Sequence, residues 1–408
     1  MLHKPNIILI SVDSLRPDFL GCYNSLKDTS ANIDKVANSG CLFFSAISQS
    51  SWTYPAIHSL ITGLYPSTHQ VYFYDLFLAT PDVTLTHFLK KDNYLTGFIS
   101  GHGGLGNMKY RFGKELDYFD DSRCSCPELT HKTLTWINSN AADRFFLWIH
   151  LMDMHKDVIG VAQDKISADE LTEDEIKGCT LKYEGGLKEV DRCIGMLMKT
   201  IQDLGLIDNT LVIITADHGQ EMGEHSVYFT HGGQLWDSVI KVPLIISFPR
   251  LLSGGKKIYN QVQLIDIFPT ICEILRIKDS KHCEGKSMLQ LLEGGEFIGQ
   301  SYAFSEHRHQ APQFISTSDW QWSQFSVRTS IWKLIFTIYK DQSRKFLLFN
   351  LDEDPREFNN LVDQEKEITL SLIRKLEEWI NRGNRKLESA SSNFDEETRK
   401  NLERLGYL

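Results

Sequence analysis

The sequence predicts an α/β protein with a doubly wound, mostly parallel central sheet flanked by helices and a small C-terminal antiparallel sheet. Continuous apolar runs recur at residues 6–12, 145–151, 210–215 and 242–247, as in strands buried on both faces of a parallel sheet. A helical stretch at 182–204 lies between two of these runs, and such alternation is typical of doubly wound folds. Beyond residue 300 the apolar segments become short and closely spaced, which indicates an antiparallel meander.

The individual elements follow from local patterns. The run at 6–12 predicts a strand that ends at Asp13. The stretch at 182–204 predicts a helix because apolar or small residues recur near helical spacing and Gly205 follows it. Short strands are predicted at 326–329, 332–339 and 346–351, and a charged amphipathic helix at 365–382. The polar residues after this helix predict a tail that lies on the surface.

Composition limits the function classes. The 408 residues carry a formal net charge of −10 and show no basic stripe, which argues against nucleic-acid binding. The longest early apolar run falls far short of the roughly 20 residues that cross a bilayer, so no membrane span is predicted. The eight cysteines are sparse and favour reduced thiols, hence a cytoplasmic location. The sequence leaves open whether the protein forms a homo-oligomer.

Acidic and imidazole side chains follow three of the predicted strands. Asp13 ends the first, Asp153 and His155 follow the second, and Asp217 and His218 follow the third. Ligands of open α/β sheets bind beyond the carboxyl ends of the strands, so these residues are predicted to share one rim. Oxygen and nitrogen ligands of this kind suit divalent ions. The alternative for each aspartate taken alone is a helix cap.

A fourth candidate is Thr53. Pro55 suits a first helical turn and Gly63 a helix end, which places Thr53 at the amino terminus of a short helix. Helix amino termini favour anionic groups. A threonine hydroxyl there is either an N-cap or, if a metal lowers its pKa, a nucleophile.

In this order the segments resemble the sulfatase family of the alkaline phosphatase superfamily. Residues 12–23 are similar to the first metal-binding segment of the family, and residues 210–219 to a later one. Residues 53–63 are similar to the signature Cys/Ser-x-Pro-Ser-Arg-x-x-x-Leu-Thr-Gly. The resemblance implies an alkaline phosphatase-like fold, with a catalytic domain over residues 1–300 and a smaller α+β subdomain with its tail over 301–408.

The departures from the sulfatase pattern bear on the chemistry. Thr53 stands where sulfatases carry the Cys or Ser that is oxidised to formylglycine, and threonine is not a substrate for that conversion. Ile57 replaces the signature arginine, Ser14 a second aspartate and His102 a lysine. A threonine nucleophile resembles phosphodiesterases and phosphoethanolamine transferases. The expected function is therefore a metal-dependent phosphate ester hydrolase that favours diesters over monoesters.

On this resemblance Thr53 forms a phosphothreonine intermediate on a small anionic ester substrate. One divalent ion, with Zn²⁺ or Mn²⁺ favoured over Ca²⁺ or Mg²⁺, is expected on Asp13, Thr53, Asp217 and His218. His155 and His231, together with Asp153, are expected to bind a second ion or the phosphate oxygens, with both histidines acting in catalysis. The alternatives are a sulfuric ester hydrolase, a phosphoryl-group transferase on the same site, and a non-catalytic metal-binding regulatory protein.

Overall fold

The structure is a computed structural model that describes residues 4–72, 83–105, 116–155, 171–277, 282–295, 301–308, 322–341 and 343–391, without the side chains of 383–391. The predicted surface tail therefore lies outside the described residues, apart from the end of the last helix. Among the described residues, no helix combines the length and the apolar character needed to cross a bilayer.

The described strands and helices account for most of this range. In chain order, the strands are β1 (Asn6–Val12), β2 (Cys41–Ile47), β3 (Leu95–Ser100), β4 (Tyr118–Asp120), β5 (Phe145–Leu151), β6 (Thr210–Ala216), β7 (Glu221–Met222), β8 (Tyr228–Thr230), β9 (Lys241–Ser247), β10 (Lys256–Ile258), β11 (Val262–Gln263), β12 (Ala303–His307), β13 (Trp322–Arg328), β14 (Trp332–Tyr339) and β15 (Arg344–Asn350). The helices are α1 (Ala31–Ser39), α2 (Thr53–Thr62), α3 (Pro66–His69), α4 (Leu85–Lys91), α5 (Cys126–Ser139), α6 (Glu173–Asp203), α7 (Asp237–Ile240), α8 (Ile267–Leu275), α9 (Leu289–Glu293) and α10 (Lys366–Ser391).

The predicted fold class is confirmed: a mixed, mostly parallel sheet is flanked by helices and followed by an antiparallel sheet. The main sheet has the order β10-β2-β9-β6-β1-β5-β3-β4, and β11 also pairs with β2. β1 is central, parallel to both β5 and β6, and buried along its whole length. In this register Val12 lies level with Leu151 and Ala216, so the residues after these strands emerge at one edge.

The strand at 242–247 runs against the expected direction. Its apolar pattern matches that of the parallel strands, but β9 pairs antiparallel with both β6 and β2. Helix α7 directly precedes β9 and lies at the edge where β6 ends, so the chain re-enters the sheet from that edge. A strand buried on both faces has the same apolar pattern in either direction, and the sequence therefore could not reveal this reversal.

Helix α6 is longer than its apolar pattern predicts. It begins at Glu173, where Thr172 and Glu175 form a capping box, and it ends at Asp203. Its first buried side chain is Tyr183, so the early turns are largely solvent-exposed and carry no apolar periodicity. The prediction from residue 182 therefore found only the part of the helix that packs on the core.

Two neighbouring glycines of α6 provide a matched pair of substitutions. A Cβ atom on Gly186 would lie 2.4 Å from the carbonyl oxygen of Asp153, whereas one on Gly185 would have no neighbour within 4 Å. We expect Gly186→Ala to lower the free energy of unfolding by about 1–3 kcal/mol, because the helix must move away from residues 153–155. Gly185→Ala should raise it by up to about 1 kcal/mol through helix propensity. Urea unfolding of both variants checks this, and equal changes would contradict it.

The C-terminal sheet has the antiparallel order β12-β13-β14-β15, as expected, with β12 added at its edge. The apolar face of α10 covers it, with Leu372 and Leu376 buried against Phe325 and Leu334. Phe304 of β12 stacks on Trp379 of this helix, with ring centroids 4.9 Å apart. The division of the chain at residue 300 stays a prediction.

A buried cluster of four charges joins the two sheets; we call it the ion cluster. Lys333 on β14 contacts Asp237 Oδ1 at 2.9 Å and Glu357 Oε1 at 2.7 Å. Arg328 on β13 contacts Asp237 Oδ2 at 2.9 Å. Asp237 begins α7, so these pairs connect the C-terminal sheet to the helix that precedes β9. Buried charges need such partners because an unpaired one is costly.

Candidate active site

An Asp–Asp–His group lies at the carboxyl ends of the central strands. Asp13 follows β1, and Asp217 and His218 follow β6. All three side chains are fully buried, and each offers a ligand atom within 4.8 Å of the others. The backbone N–H of Asp13 donates to Leu151 O, which extends the β1–β5 pairing to the start of the site. The structure therefore brings these three residues together at one rim.

The chemistry of this group fits a divalent cation. His218 Nδ1 lies 2.8 Å from the carbonyl oxygen of Gly219, which can only accept a hydrogen bond, so Nδ1 carries the proton. The lone pair of His218 Nε2 therefore faces the site, 3.5 Å from Asp217 Oδ2. Asp217 Oδ2 is buried without a hydrogen-bond partner among the described residues. Two buried carboxylates that share one site need a compensating positive charge.

The two carboxylates of this group differ electrostatically. Burial, together with the charge of Asp13, raises the pKa of Asp217 to about 7. Burial would also raise the pKa of Asp13, but His155, His218 and His231 hold it well below its usual range. Because a cation competes with protons for Asp217, binding a divalent ion at this group would release a proton near neutral pH.

Thr53 is turned towards this group and not towards its own helix. It is the first residue of α2, whose N-cap position is held by Trp52, and Gly63 ends the helix at a φ of 67°. Thr53 Oγ1 donates to Asp13 Oδ2 at 3.0 Å and lies 3.2 Å from His218 Nε2. The N-cap alternative is therefore not what the structure shows.

The segment before α2 is held by the loops that follow β6 and β8. Ser48 Oγ donates to the carbonyl oxygen of Asp217. The N–H of Gly232 donates to the carbonyl oxygen of Ser51 at 2.7 Å. Thr53 is thus positioned by backbone contacts from the same loops that carry Asp217 and His231.

Three histidine rings line one side of the group. His231 stacks on His218 with centroids 4.5 Å apart, and His155 lies 5.1 Å from His231. The structure therefore brings both predicted catalytic histidines to the rim. Among the described residues, no second set of three ligand atoms meets as the Asp–Asp–His group does. Whether His155 and His231 bind a second ion or the oxygens of the substrate stays a prediction.

Asp153 is not part of this group. Its Oδ1 accepts a hydrogen bond from the backbone N–H of Cys126 at the start of α5. The side chain therefore anchors a helix end, and its position two residues before His155 could not reveal that. Burial raises its pKa, which further disfavours the charged form.

His150 is a neighbour of the site that sequence reasoning missed. It lies inside β5, fully buried, with Nδ1 2.8 Å from Ser11 Oγ, and Ser11 Oγ also accepts from Trp148 Nε1. Burial lowers its pKa to about 3, so the ring is neutral. His102, which stands at the lysine position of the sulfatase pattern, also lies close enough to Asp13 for that carboxylate to raise its pKa, but burial lowers the pKa by more. A histidine within an apolar strand was the available signal.

This fold, with an Asp–Asp–His group and a hydroxyl at the strand ends, defines the class of alkaline phosphatase-like hydrolases. A family model described as sulfatase matches residues 5–277, and one described as N-sulphoglucosamine sulphohydrolase, C-terminal, matches residues 223–384. The chain belongs to the sulfatase family. Members generally bind a divalent metal ion, which agrees with the chemistry of the group described above.

Similar proteins agree with this assignment. Mouse arylsulfatase K is 30% identical over 257 residues, covering 62% of this chain and 45% of its own. The chain thus spans about half the length of the curated relatives it matches first. A solved 2-O GAG sulfatase has a TM-score of 0.79 at 19% identity, covering 95% of this chain and 94% of its own. Phosphonate monoester hydrolase of Agrobacterium radiobacter has a TM-score of 0.77 at 19% identity, covering 93% and 96%.

These findings correct the functional prediction. The expectation of a phosphate ester hydrolase that favours diesters is wrong, because the matching family model is described as sulfatase, and arylsulfatase K and the 2-O GAG sulfatase are sulfatases, although the phosphonate monoester hydrolase shares the fold. The expectation rested on Thr53 standing in place of the formylglycine precursor. The family pattern along the rest of the chain supports the alternative, a sulfuric ester hydrolase, better than this single substitution supports a phosphate ester hydrolase.

Proposed function

We propose that this protein is a metal-dependent hydrolase of sulfate esters on sulfated glycans, with Thr53 as its nucleophile. The observation that carries the proposal is the Thr53 hydroxyl, placed 3.0 Å from Asp13 and 3.2 Å from His218 in a buried, acidic site. Family membership supports the sulfate ester as substrate, and the 2-O GAG sulfatase supports a glycan.

The residues of the site divide the chemistry among them. A divalent ion held by Asp13, Asp217 and His218 would lower the pKa of the Thr53 hydroxyl and offset negative charge on the sulfate. Thr53 Oγ1 attacks sulfur as its proton passes to Asp13, and the ester S–O bond breaks while the leaving oxygen takes a proton from His155 or His231 and departs as the alcohol. Water then attacks the sulfur of the threonine sulfate, which releases sulfate and restores the hydroxyl.

The flanking imidazoles suit a sulfate ester. A sulfate monoester carries one negative charge, whereas a phosphate monoester carries close to two at neutral pH. His155 and His231 can donate N–H hydrogen bonds to its non-bridging oxygens and to the leaving oxygen.

Metal loading should depend on the Asp–Asp–His group. We expect Asp217→Asn and His218→Ala each to remove the bound ion and to lower kcat by roughly 10²-fold or more. The imidazole and carboxylates favour Zn²⁺ or Mn²⁺ as that ion. Elemental analysis of purified protein, together with circular dichroism to confirm folding, measures this. Asp153→Asn is the control, because its carboxylate caps α5. Full metal content in both variants would contradict the ligand assignment.

The proposed function is tested by initial rates on p-nitrophenyl sulfate, p-nitrophenyl phosphate and bis(p-nitrophenyl) phosphate with Zn²⁺ or Mn²⁺ present. We expect the sulfate to react faster than either phosphate. A higher rate on a phosphate ester, or no turnover of any ester, would contradict the proposal.

We also propose a cytoplasmic location, which is supported by the free state of all eight cysteines.

A further inference from the structure

Arg308, directly after β12, has a guanidinium group that is mostly buried and that the described residues hydrogen-bond only in part. Its side chain is 15% exposed, and its Nε donates to Glu306 Oε2 at 2.7 Å. Its Nη2 is buried without a partner among the described residues. The group lies over the rings of Tyr72 and Phe325, 5.6 and 5.2 Å from their centroids. A buried donor without a partner is costly, so this guanidinium keeps donors that no described residue occupies and that could bind an anion.

Glu306 fixes the orientation of this guanidinium. The Glu306 carboxylate is fully buried, and its Oε1 accepts from the backbone N–H of Ser67 at 2.6 Å. Its Oε2 accepts from Tyr72 Oη at 3.4 Å as well as from Arg308. Three donors thus share the charge of Glu306, and the carboxylate occupies only one of the five N–H donors of Arg308. The remaining donors are held in a fixed direction before any ligand arrives.

The end of β12 is bonded to both segments that carry the proposed catalytic groups. The N–H of Glu306 donates to Gln49 O, and Ser50 Oγ donates to Glu306 O. The N–H of Gly233 donates to His307 Nδ1 at 3.3 Å. Ser50 precedes Thr53 by three residues, and Gly233 follows His231 by two. Each of these two stretches of chain can span at most about 11 Å. Arg308 therefore lies near the rim at which Thr53 reacts.

We propose that Arg308 is a specificity-determining residue that binds a second anionic group of the substrate, a sulfate or a carboxylate on the same or the adjacent sugar. The inference rests on the proposed function and narrows it to polyanionic glycan fragments. A guanidinium is suited to such groups because its parallel N–H donors match two oxygens of one anion. The ester that reacts at Thr53 carries one negative charge in every substrate. Arg308 therefore distinguishes substrates that carry a second anionic group from those that do not.

The test measures binding without turnover. In a Thr53→Ala background, calorimetry compares glucosamine 6-sulfate with glucosamine N,6-disulfate. We expect the disulfate to bind at least about tenfold more tightly, because the second sulfate gains charge-assisted hydrogen bonds from Arg308. Adding Arg308→Gln should abolish this preference while changing the affinity for the monosulfate less than about twofold. Arg344→Gln, an exposed change on β15, is the matched control and should leave the preference intact.

Each outcome decides the matter. Equal weakening of both ligands by Arg308→Gln, or no change in either, would overturn the proposal and leave the pair with Glu306 as structural. If Arg308→Gln does not fold, Arg308→Lys, which keeps the charge but loses the parallel donors, should still reduce the preference several-fold. A wild-type chain that shows the preference but hydrolyses no sulfate ester would overturn the proposed function and keep this inference. A wild-type chain that hydrolyses sulfate esters but shows no preference for the disulfate would overturn this inference and keep the proposed function.

Discussion

Replacing Thr53 with alanine is expected to lower the hydrolysis of sulfate esters by about 10³-fold or more, because the attacking oxygen is removed. The Asp–Asp–His group stays complete in this variant, so the metal content should not change. Thr53→Ser should keep part of the activity, since a hydroxyl on the same carbon can still reach Asp13 and His218. Initial rates on p-nitrophenyl sulfate, with elemental analysis of each variant, measure these effects.

Thr62→Ala is the matched control for this prediction. Thr62 lies at the other end of the same helix, is equally buried, and donates its hydroxyl to His58 O within α2. Its loss should affect stability and leave the rate per folded molecule near that of the wild type. Near-wild-type turnover by Thr53→Ala would reject the covalent mechanism. Mass spectrometry should also find residue 53 as unmodified threonine, because threonine is not converted to formylglycine.

Replacing Lys333 with methionine is expected to lower the free energy of unfolding by about 3–5 kcal/mol. Lys333 is fully buried in the ion cluster and contacts both Asp237 and Glu357. Burial raises the pKa of Glu357 even though the ammonium group of Lys333 lies beside it. Lys333 is the cation that contacts Glu357 in the ion cluster, so the Glu357 carboxylate should take up a proton when Lys333 is removed. Urea unfolding measures the loss.

Two further variants make this result specific. Lys345→Met, an exposed change on the neighbouring strand β15, should alter stability by no more than about 0.5 kcal/mol. The double variant Lys333→Met, Glu357→Gln should recover part of the loss, because the unpaired carboxylate is also gone. A Lys333→Met variant as stable as Lys345→Met would show that the ion cluster does not hold the two sheets together.

The sequence predicted those parts of the site that depend on strand ends. Asp13, Asp217 and His218 follow uninterrupted apolar runs, and parallel strands deliver such residues to one edge. Thr53 was recognisable from Pro55 and Gly63, which mark the start and end of its helix. For these residues, local pattern and chain order were sufficient.

Other features depend on tertiary contacts that leave no local signal. The direction of β9 follows from where the chain re-enters the sheet, and the side chain of Asp153 turns to the α5 backbone because that helix begins beside it. His150 and Arg308 carry no motif, and they reach the site only because β5 is central and β12 contacts the segment before α2. The ester chemistry was predicted wrongly because one residue type, threonine at position 53, serves more than one reaction.

The central position of β1 has a consequence for the order of folding. Its partners on either side are β5 and β6, and its first residue, Asn6, pairs with Thr210. The hydroxyl of Thr53 likewise contacts His218, which lies 165 residues further along the chain. During synthesis β1 stays without a neighbour on one flank until residues 210–216 have emerged from the ribosome. Contacts between such distant residues close slowly because a long loop must first be ordered. We therefore expect the local helices to form before the catalytic centre, which is complete only after the residues that follow β6 have joined the site.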